Sequence, residues 1–263
     1  MFKESKMIST NNMSLGLTGQ CAWVVGASGA IGSAIAEMLA AHGATVWLSG
    51  RDTLKLTALQ DTIIQAGGQA RLRVLDATKT DEVTHAAREI VRQSGKINIL
   101  VNSTATSTFG DFLDLTDEDW EKTFQSKLMV YVRTMRAVLP TMLKAGSGVI
   151  INISGRAGKL PSPAHLPGGS MNAAVNLLTK GISDRYKTQG IRANTIAPGP
   201  IASARFDALA AQNIEITSAK ASSIPSQGSP QDVAQAVVWL ASPLAAHLNG
   251  IVLPLDGGAT PTV

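Results

Sequence analysis

Short apolar runs alternate along this chain with longer stretches in which apolar positions return at helical spacing. The runs at 23–25, 43–49, 70–75, 96–101, 148–154, 191–196 and 251–255 are rich in Val, Ile, Leu and Trp and predict strands. The run at 148–154 is of the type buried on both faces of a parallel sheet. Between the runs, helical periodicity covers 33–42, 83–93, 119–144, 170–186 and 231–241, and Asp52 caps a further helix that ends at Gly67-Gly68. The helix at 119–144 has a start resembling a capping box at Thr116, and its stripe of Trp120, Phe124, Leu128, Tyr131 and Met135 reads as core or subunit contact. Residues 204–229 turn polar and irregular, as a lid over a pocket would. The polar start, 1–16, reads as a flexible segment. Strands alternating with helices in this order predict an α/β fold: one domain over 17–263, a doubly wound parallel sheet of about seven strands with helices on both faces.

Composition narrows the class. The 263 residues carry 23 Lys and Arg against 19 Asp and Glu, a formal net charge of +4, and the cations are scattered rather than bunched. No nucleic-acid partner is therefore expected, and the slight basic excess fits a cleft for a phosphorylated cofactor. Cys21 is the only cysteine, which rules out an intrachain disulfide and removes any need for an oxidising compartment. No apolar run has bilayer length, and 1–20 lacks the apolar core of a signal peptide. A cytoplasmic protein with no membrane attachment is therefore expected, and no metal site is expected.

The first candidate chemistry lies where the first strand runs into Gly26-Ala27-Ser28-Gly29-Ala30-Ile31-Gly32 and then directly into a helix. Such a turn lets the backbone approach a dinucleotide phosphate and presents the N–H groups of a helix N-terminus to it. Taken alone, a glycine-rich turn also marks ordinary strand-to-helix connections. The second strand closes a unit of the right length, and Gly50-Arg51 stands just past its end, where an acidic residue would accept the ribose hydroxyls of NAD and an arginine would meet a ribose phosphate. NADP is thus favoured over NAD, with a merely solvated Arg51 as the alternative. Asp76, past the third strand, would face the crevice and accept from an adenine amine, or else cap the next helix.

Together these residues resemble the short-chain dehydrogenase/reductase family over about 17–258, which implies a Rossmann-type sheet and a nicotinamide cofactor. Gly26, Ser28, Gly29, Ile31 and Gly32 look like the family's TGxxxGxG loop, with Val25 for threonine and Ala30 for the middle glycine. Asp76-Ala77 is similar to its adenine-contacting pair. Asn102-Ser103-Thr104-Ala105 stands at its NNAG segment and keeps only the first residue. Pro198, Gly199, Ile201 and Ser203 resemble the segment that holds the nicotinamide carboxamide, and Leu255-Asp256-Gly257-Gly258 resembles the closing VDGG. The helices at 119–144 and 170–186 resemble the family's subunit-interface pair, which implies a homodimer or homotetramer.

The resemblance also implies a serine, a tyrosine and, four places on, a lysine around the substrate oxygen. Here the serine site falls on Gly155, with Ser154 one place early; the tyrosine site is Gly168 and the lysine site Asn172. Lys127 stands where a fourth catalytic residue, an asparagine, is usual. Of the two tyrosines, Tyr186 lies about 20 Å beyond Asn172 along the helix, while Tyr131, one turn past Lys127, is a possible donor or ordinary packing. His165 precedes Asn172 by the spacing that separates tyrosine and lysine in the family's enoyl-reductase branch, and an imidazole, with an unperturbed pKa of about 6.5, needs little tuning for proton transfer at neutral pH. It is alternatively an exposed loop histidine. Lys127 and Asn172 would exchange the amine and amide of the usual pair, unless Lys127 merely snorkels from an interface. The resulting expectation is an atypical NADP-dependent oxidoreductase acting on a small carbonyl or alcohol through His165, Ser154, Lys127 and Asn172. A nucleotide-binding sensor or assembly subunit and a lyase or isomerase with His165 as base are the alternatives.

Overall fold

A computed structural model describes residues 15–105, 108–204 and 227–261. Its strands are β1 Cys21–Val25, β2 Thr45–Ser49, β3 Gln69–Leu72, β4 Ile99–Asn102, β5 Gly148–Ile153, β6 Ile191–Pro198 and β7 Val252–Leu255. They form one seven-stranded sheet in the order β3-β2-β1-β4-β5-β6-β7, and every neighbouring pair is parallel. Helices α1 Ala30–Ala41, α2 Thr53–Gln65, α3 Thr80–Ser94, α4 Asp117–Thr123, α5 Met129–Ala145, α6 Leu166–Tyr186 and α7 Pro230–Ala241 flank it.

Alternation along each strand divides the core into two layers. Val24 and Leu48 pack with α1 and α7 on one face, while Trp23 and Trp47, paired across β1 and β2, pack with α3 and α5 on the other. Both indoles keep their N–H groups satisfied: Trp23 donates to Ser49 Oγ at 2.9 Å and Trp47 to Ser94 Oγ at 2.9 Å. Cys21 is buried in β1, and that burial pushes its thiol above the ordinary range despite the nearby Ser94 hydroxyl and the charges of Arg71 and Lys96.

The periodicity located the elements, but the structure moves several boundaries. The third strand ends at Leu72 rather than 75, and the sixth continues to Pro198 because Ala197 and Pro198 still pair with Pro254 and Leu255. α6 begins at Leu166, with Pro167 in its first turn, where a missing N–H costs nothing. The largest correction concerns 119–144, expected as one helix. After α4, entered through a capping box between Thr116 and Asp119, residues Phe124–Leu128 form a π-helical turn before α5 resumes. One extra residue in that turn rotates α5 relative to α4, and such turns recur at functional sites. The expected flexible segment falls outside the described residues except for Leu15 and Gly16, as does 205–226 of the expected lid. No described helix is long and apolar enough to cross a membrane.

Candidate active site

A cleft of about 580 Å³ opens at the C-terminal ends of the central strands, where the chain order reverses between β1 and β4. Its floor at one end is the glycine turn. Gly26 has φ +88°, and a Cβ there would lie 2.5 Å from the Ser103 carbonyl; one on Gly32 would overlap the Gly26 carbonyl. Only glycine at both places lets β1, α1 and the loop after β4 close on each other. The N–H groups of Ala30, Ile31 and Gly32 find no acceptor among the described residues, no side chain caps α1, and no acidic residue stands in its first turn. A pyrophosphate is the kind of group such a terminus accepts.

Of the expected cofactor residues, Ser28, Gly29, Ile31 and Gly32 line this cleft, as do Ser103 and Thr104 and, on the opposite wall, Pro198, Gly199, Ile201 and Ser203. Asn102 does not: its amide donates to Asn152 Oδ1 at 2.9 Å and accepts from Thr134 Oγ1 at 2.8 Å inside the core. Gly26 shapes the turn from behind, and Arg51, Asp76 and Ala77 also lie off the cleft wall. The Asp76 carboxylate accepts from the Thr78 N–H at 3.0 Å and hydroxyl at 2.8 Å, a local turn ahead of α3 rather than its cap, because the N-cap position is Lys79 and no side chain caps that helix. Partial burial works against its ionisation, but these bonds and the charges of Arg51 and Lys79 hold it below the usual carboxylate range. Lys55, which the motifs did not single out, does line the cleft. Its place one helical turn after Arg51 is the signal that was available.

The other end of the cleft holds all four expected catalytic residues, Lys127, Ser154, His165 and Asn172. Lys127 sits in the π turn and is only 5% exposed. Its ammonium donates to the carbonyls of Thr104 at 2.8 Å and Ile153 at 2.7 Å and to the Tyr131 hydroxyl at 3.0 Å. That burial corrects the snorkelling alternative. Tyr131 is wholly buried, donates to the Ile153 carbonyl at 2.8 Å, and its phenol is pushed well above the ordinary range by burial, opposed by bonding to Thr104. It is packing and a partner of Lys127, and it does not line the cleft. Ser154 Oγ lies 3.4 Å from the Ile196 carbonyl, to which it donates. Asn172 is buried against the loop after β5: a Cβ on Gly155 would lie 2.8 Å from its Nδ2.

His165 is fixed by the loop beyond β4. Its ring stacks on Phe109 with centroids 4.1 Å apart and planes at 15°, and Nδ1 lies 3.0 Å from the Thr108 carbonyl. A carbonyl can only accept, so Nδ1 carries a proton. Gly110 N–H donates to the Ala164 carbonyl at 3.0 Å and ties the same two loops again. This half-buried ring is not the exposed loop histidine of the alternative. A Cβ on Gly168 would overlap Nε2 and Cε1 of the ring, so the imidazole stands where a side chain at 168 would begin.

A parallel sheet reversing beside a glycine turn, with the cleft at that switch point, defines a Rossmann-type dinucleotide-binding protein. The chain belongs to the short-chain dehydrogenase/reductase family of oxidoreductases: residues 26–260 match the family model described as enoyl-(acyl carrier protein) reductase. It is 32% identical over 262 residues to the uncharacterized oxidoreductase YvrD of Bacillus subtilis, covering 94% of this chain and 98% of that one. It is 31% identical to the 3-oxoacyl-[acyl-carrier-protein] reductase FabG of Vibrio harveyi, covering 93% and 98%. The structure of a 7 alpha-hydroxysteroid dehydrogenase complexed with NADH and 7-oxo glycochenodeoxycholic acid superposes with a TM-score of 0.89 at 31% identity, over 94% of this chain and 97% of that one.

Proposed function

We propose that this protein is an NADP-dependent oxidoreductase that moves hydride between the nicotinamide and a carbonyl or alcohol carbon, with His165 rather than a tyrosine handling the proton. The observation that carries this is the imidazole in the space that a side chain at position 168 would fill, in a cleft shared with the glycine turn. The nicotinamide, when bound, supplies or accepts the hydride. The chain's own residues do the rest. Ala30, Ile31 and Gly32 offer their N–H groups to the pyrophosphate, and Arg51 and Lys55 supply positive charge for the ribose phosphate. The 198–203 segment frames the carboxamide, with Ser203 Oγ donating to the Ile201 carbonyl at 3.3 Å. Since Nδ1 keeps its proton for Thr108, Nε2 gives one to the substrate oxygen in reduction and takes one in oxidation. Ser154 orients that oxygen.

In this reading Lys127 and Asn172 have exchanged the amine and amide of the family's usual pair. The amine, bonded to the carbonyls of Thr104 and Ile153, fixes the ends of β4 and β5 on which the cleft is built. The protein acts in the cytoplasm as a homodimer or homotetramer, with Leu177, 76% exposed on α6, available to a second copy.

The test pairs NADPH titration by fluorescence with a carbonyl panel monitored by NADPH consumption. Wild type binds and turns over, and His165→Gln binds equally but loses about a hundredfold in kcat. Binding without turnover across the panel would instead support the nucleotide sensor, which the lack of a tyrosine along the described cleft wall favours.

A further inference from the structure

We infer that the Asn172 carboxamide is a hydrogen-bond donor to the reacting oxygen, sharing with His165 the charge that hydride transfer puts there. The inference rests on the reductase reading above and adds the group that polarises the substrate. Asn172 is 7% exposed and lines the cleft, yet neither polar atom of its carboxamide has a hydrogen-bond partner among the described residues. Nor is either atom sealed away, as Asn176 Oδ1 is one turn further along α6. An amide taken from water and left unbonded costs free energy, and a ligand entering the cleft would relieve that cost.

Where the amide stands decides what it can reach. The three atoms nearest a Cβ built on Gly155 all belong to Asn172, with Nδ2 first at 2.8 Å, Cγ at 3.5 Å and Oδ1 at 3.8 Å. Gly155 lines the same cleft directly after Ser154. The amide thus fills the space of a side chain at 155, as the imidazole fills that of one at 168. Positions 168 and 172 lie one turn apart on one face of α6, with about 5–6 Å between their Cβ positions. Amide and imidazole therefore flank a single space. The neighbouring donors are committed elsewhere: the single Ser154 proton goes to the Ile196 carbonyl, and the Lys127 ammonium donates to Thr104, Tyr131 and Ile153. In reduction the carbonyl carbon gains a hydride from the reduced nicotinamide and the π pair of the C=O bond moves onto oxygen. The Nδ2–H group holds that charge while the Nε2 proton of His165 completes the alcohol, and oxidation reverses each step.

The test compares wild type with Asn172→Ala and with the double variant Gly155→Ser/Asn172→Ala. Gly155 is extended, φ 172° and ψ 156°, a backbone that serine adopts freely, so the double variant returns a donor to the same space. With the ketone that wild type reduces fastest, Asn172→Ala should lose about a hundredfold in kcat while NADPH affinity stays within about twofold, and the double variant should recover at least about tenfold of that loss. Asn172→Ala should melt no lower than wild type, since it removes an unbonded amide. The infrared carbonyl band of ¹³C-labelled cyclohexanone bound with NADP⁺ should lie below that of the free ketone in wild type, return toward it in Asn172→Ala and fall again in the double variant. Unchanged kcat in Asn172→Ala, NADPH affinity lost in step with kcat, a double variant no faster than the single one, or a band that ignores residue 172 would each overturn the inference. Failure of the reductase reading looks different: wild type consumes no NADPH with any ketone, while the band still depends on Asn172.

Discussion

The two ends of the cleft are built by different means. At the proposed nucleotide end the groups are backbone N–H donors, and the sequence controls them only through residues that must be small: Gly26 and Gly32 touch neighbouring carbonyls so closely that a Cβ has no room. At the proposed chemistry end the groups are side chains, and each is aimed by an element distant in sequence. Lys127 arrives from a π turn, His165 from a short turn tied to Thr108 and Phe109, and Asn172 from α6 against the loop after β5. A backbone site tolerates no change of shape. A side-chain site tolerates exchange, provided each group still reaches the same space: removing the side chain at 168 makes room for the ring at 165.

Four substitutions would break or sharpen that contrast. The largest effect is expected from Gly32→Ala, whose Cβ meets backbone with nothing flexible to yield. It should cost about 3 kcal/mol of stability and more than about a hundredfold in NADPH affinity, read by thermal melting and fluorescence titration. Gly168→Ala comes next. Its Cβ displaces the His165 ring, so kcat should fall by up to about a hundredfold while NADPH affinity stays within about twofold. An equal change in affinity would mean that the two ends are not separable. Lys127→Met strips a buried cation from two carbonyls and should cost about 1–3 kcal/mol in melting and about tenfold in kcat; normal NADPH binding and turnover would refute its role. Ser154→Ala, losing a hydroxyl that makes only a long bond to Ile196, should lower kcat by no more than about fivefold.

The same contrast explains what was legible in the sequence. Strands buried on both faces show as apolar runs wherever they lie, and the glycine turn announces itself because its constraint is local. The π turn was invisible, since Trp120, Phe124, Leu128, Tyr131 and Met135 keep an unbroken helical spacing through it. For the same reason Lys127 could be read as a surface lysine, although it is buried at 5% exposure. Asn102 matched a motif by position, but its side chain turns into the core to Asn152 and Thr134, partners that no spacing within one segment reveals. Lys55 was missed because a cation on an exposed helix beside Asp52 resembles any solvated ion pair. His165 was singled out by its spacing from Asn172 and by the chemistry of an imidazole. Spacing does not show that Phe109 and Thr108, from another loop, hold its ring over Gly168.

The most direct measurement is a crystal structure with NADPH bound. The pyrophosphate is expected on the N–H groups of Ala30 to Gly32, and the reacting face of the nicotinamide turned to the space that His165, Ser154 and Asn172 share. A groove that stays blocked to NADPH, or a nicotinamide facing away from the imidazole, would contradict the proposed division of labour.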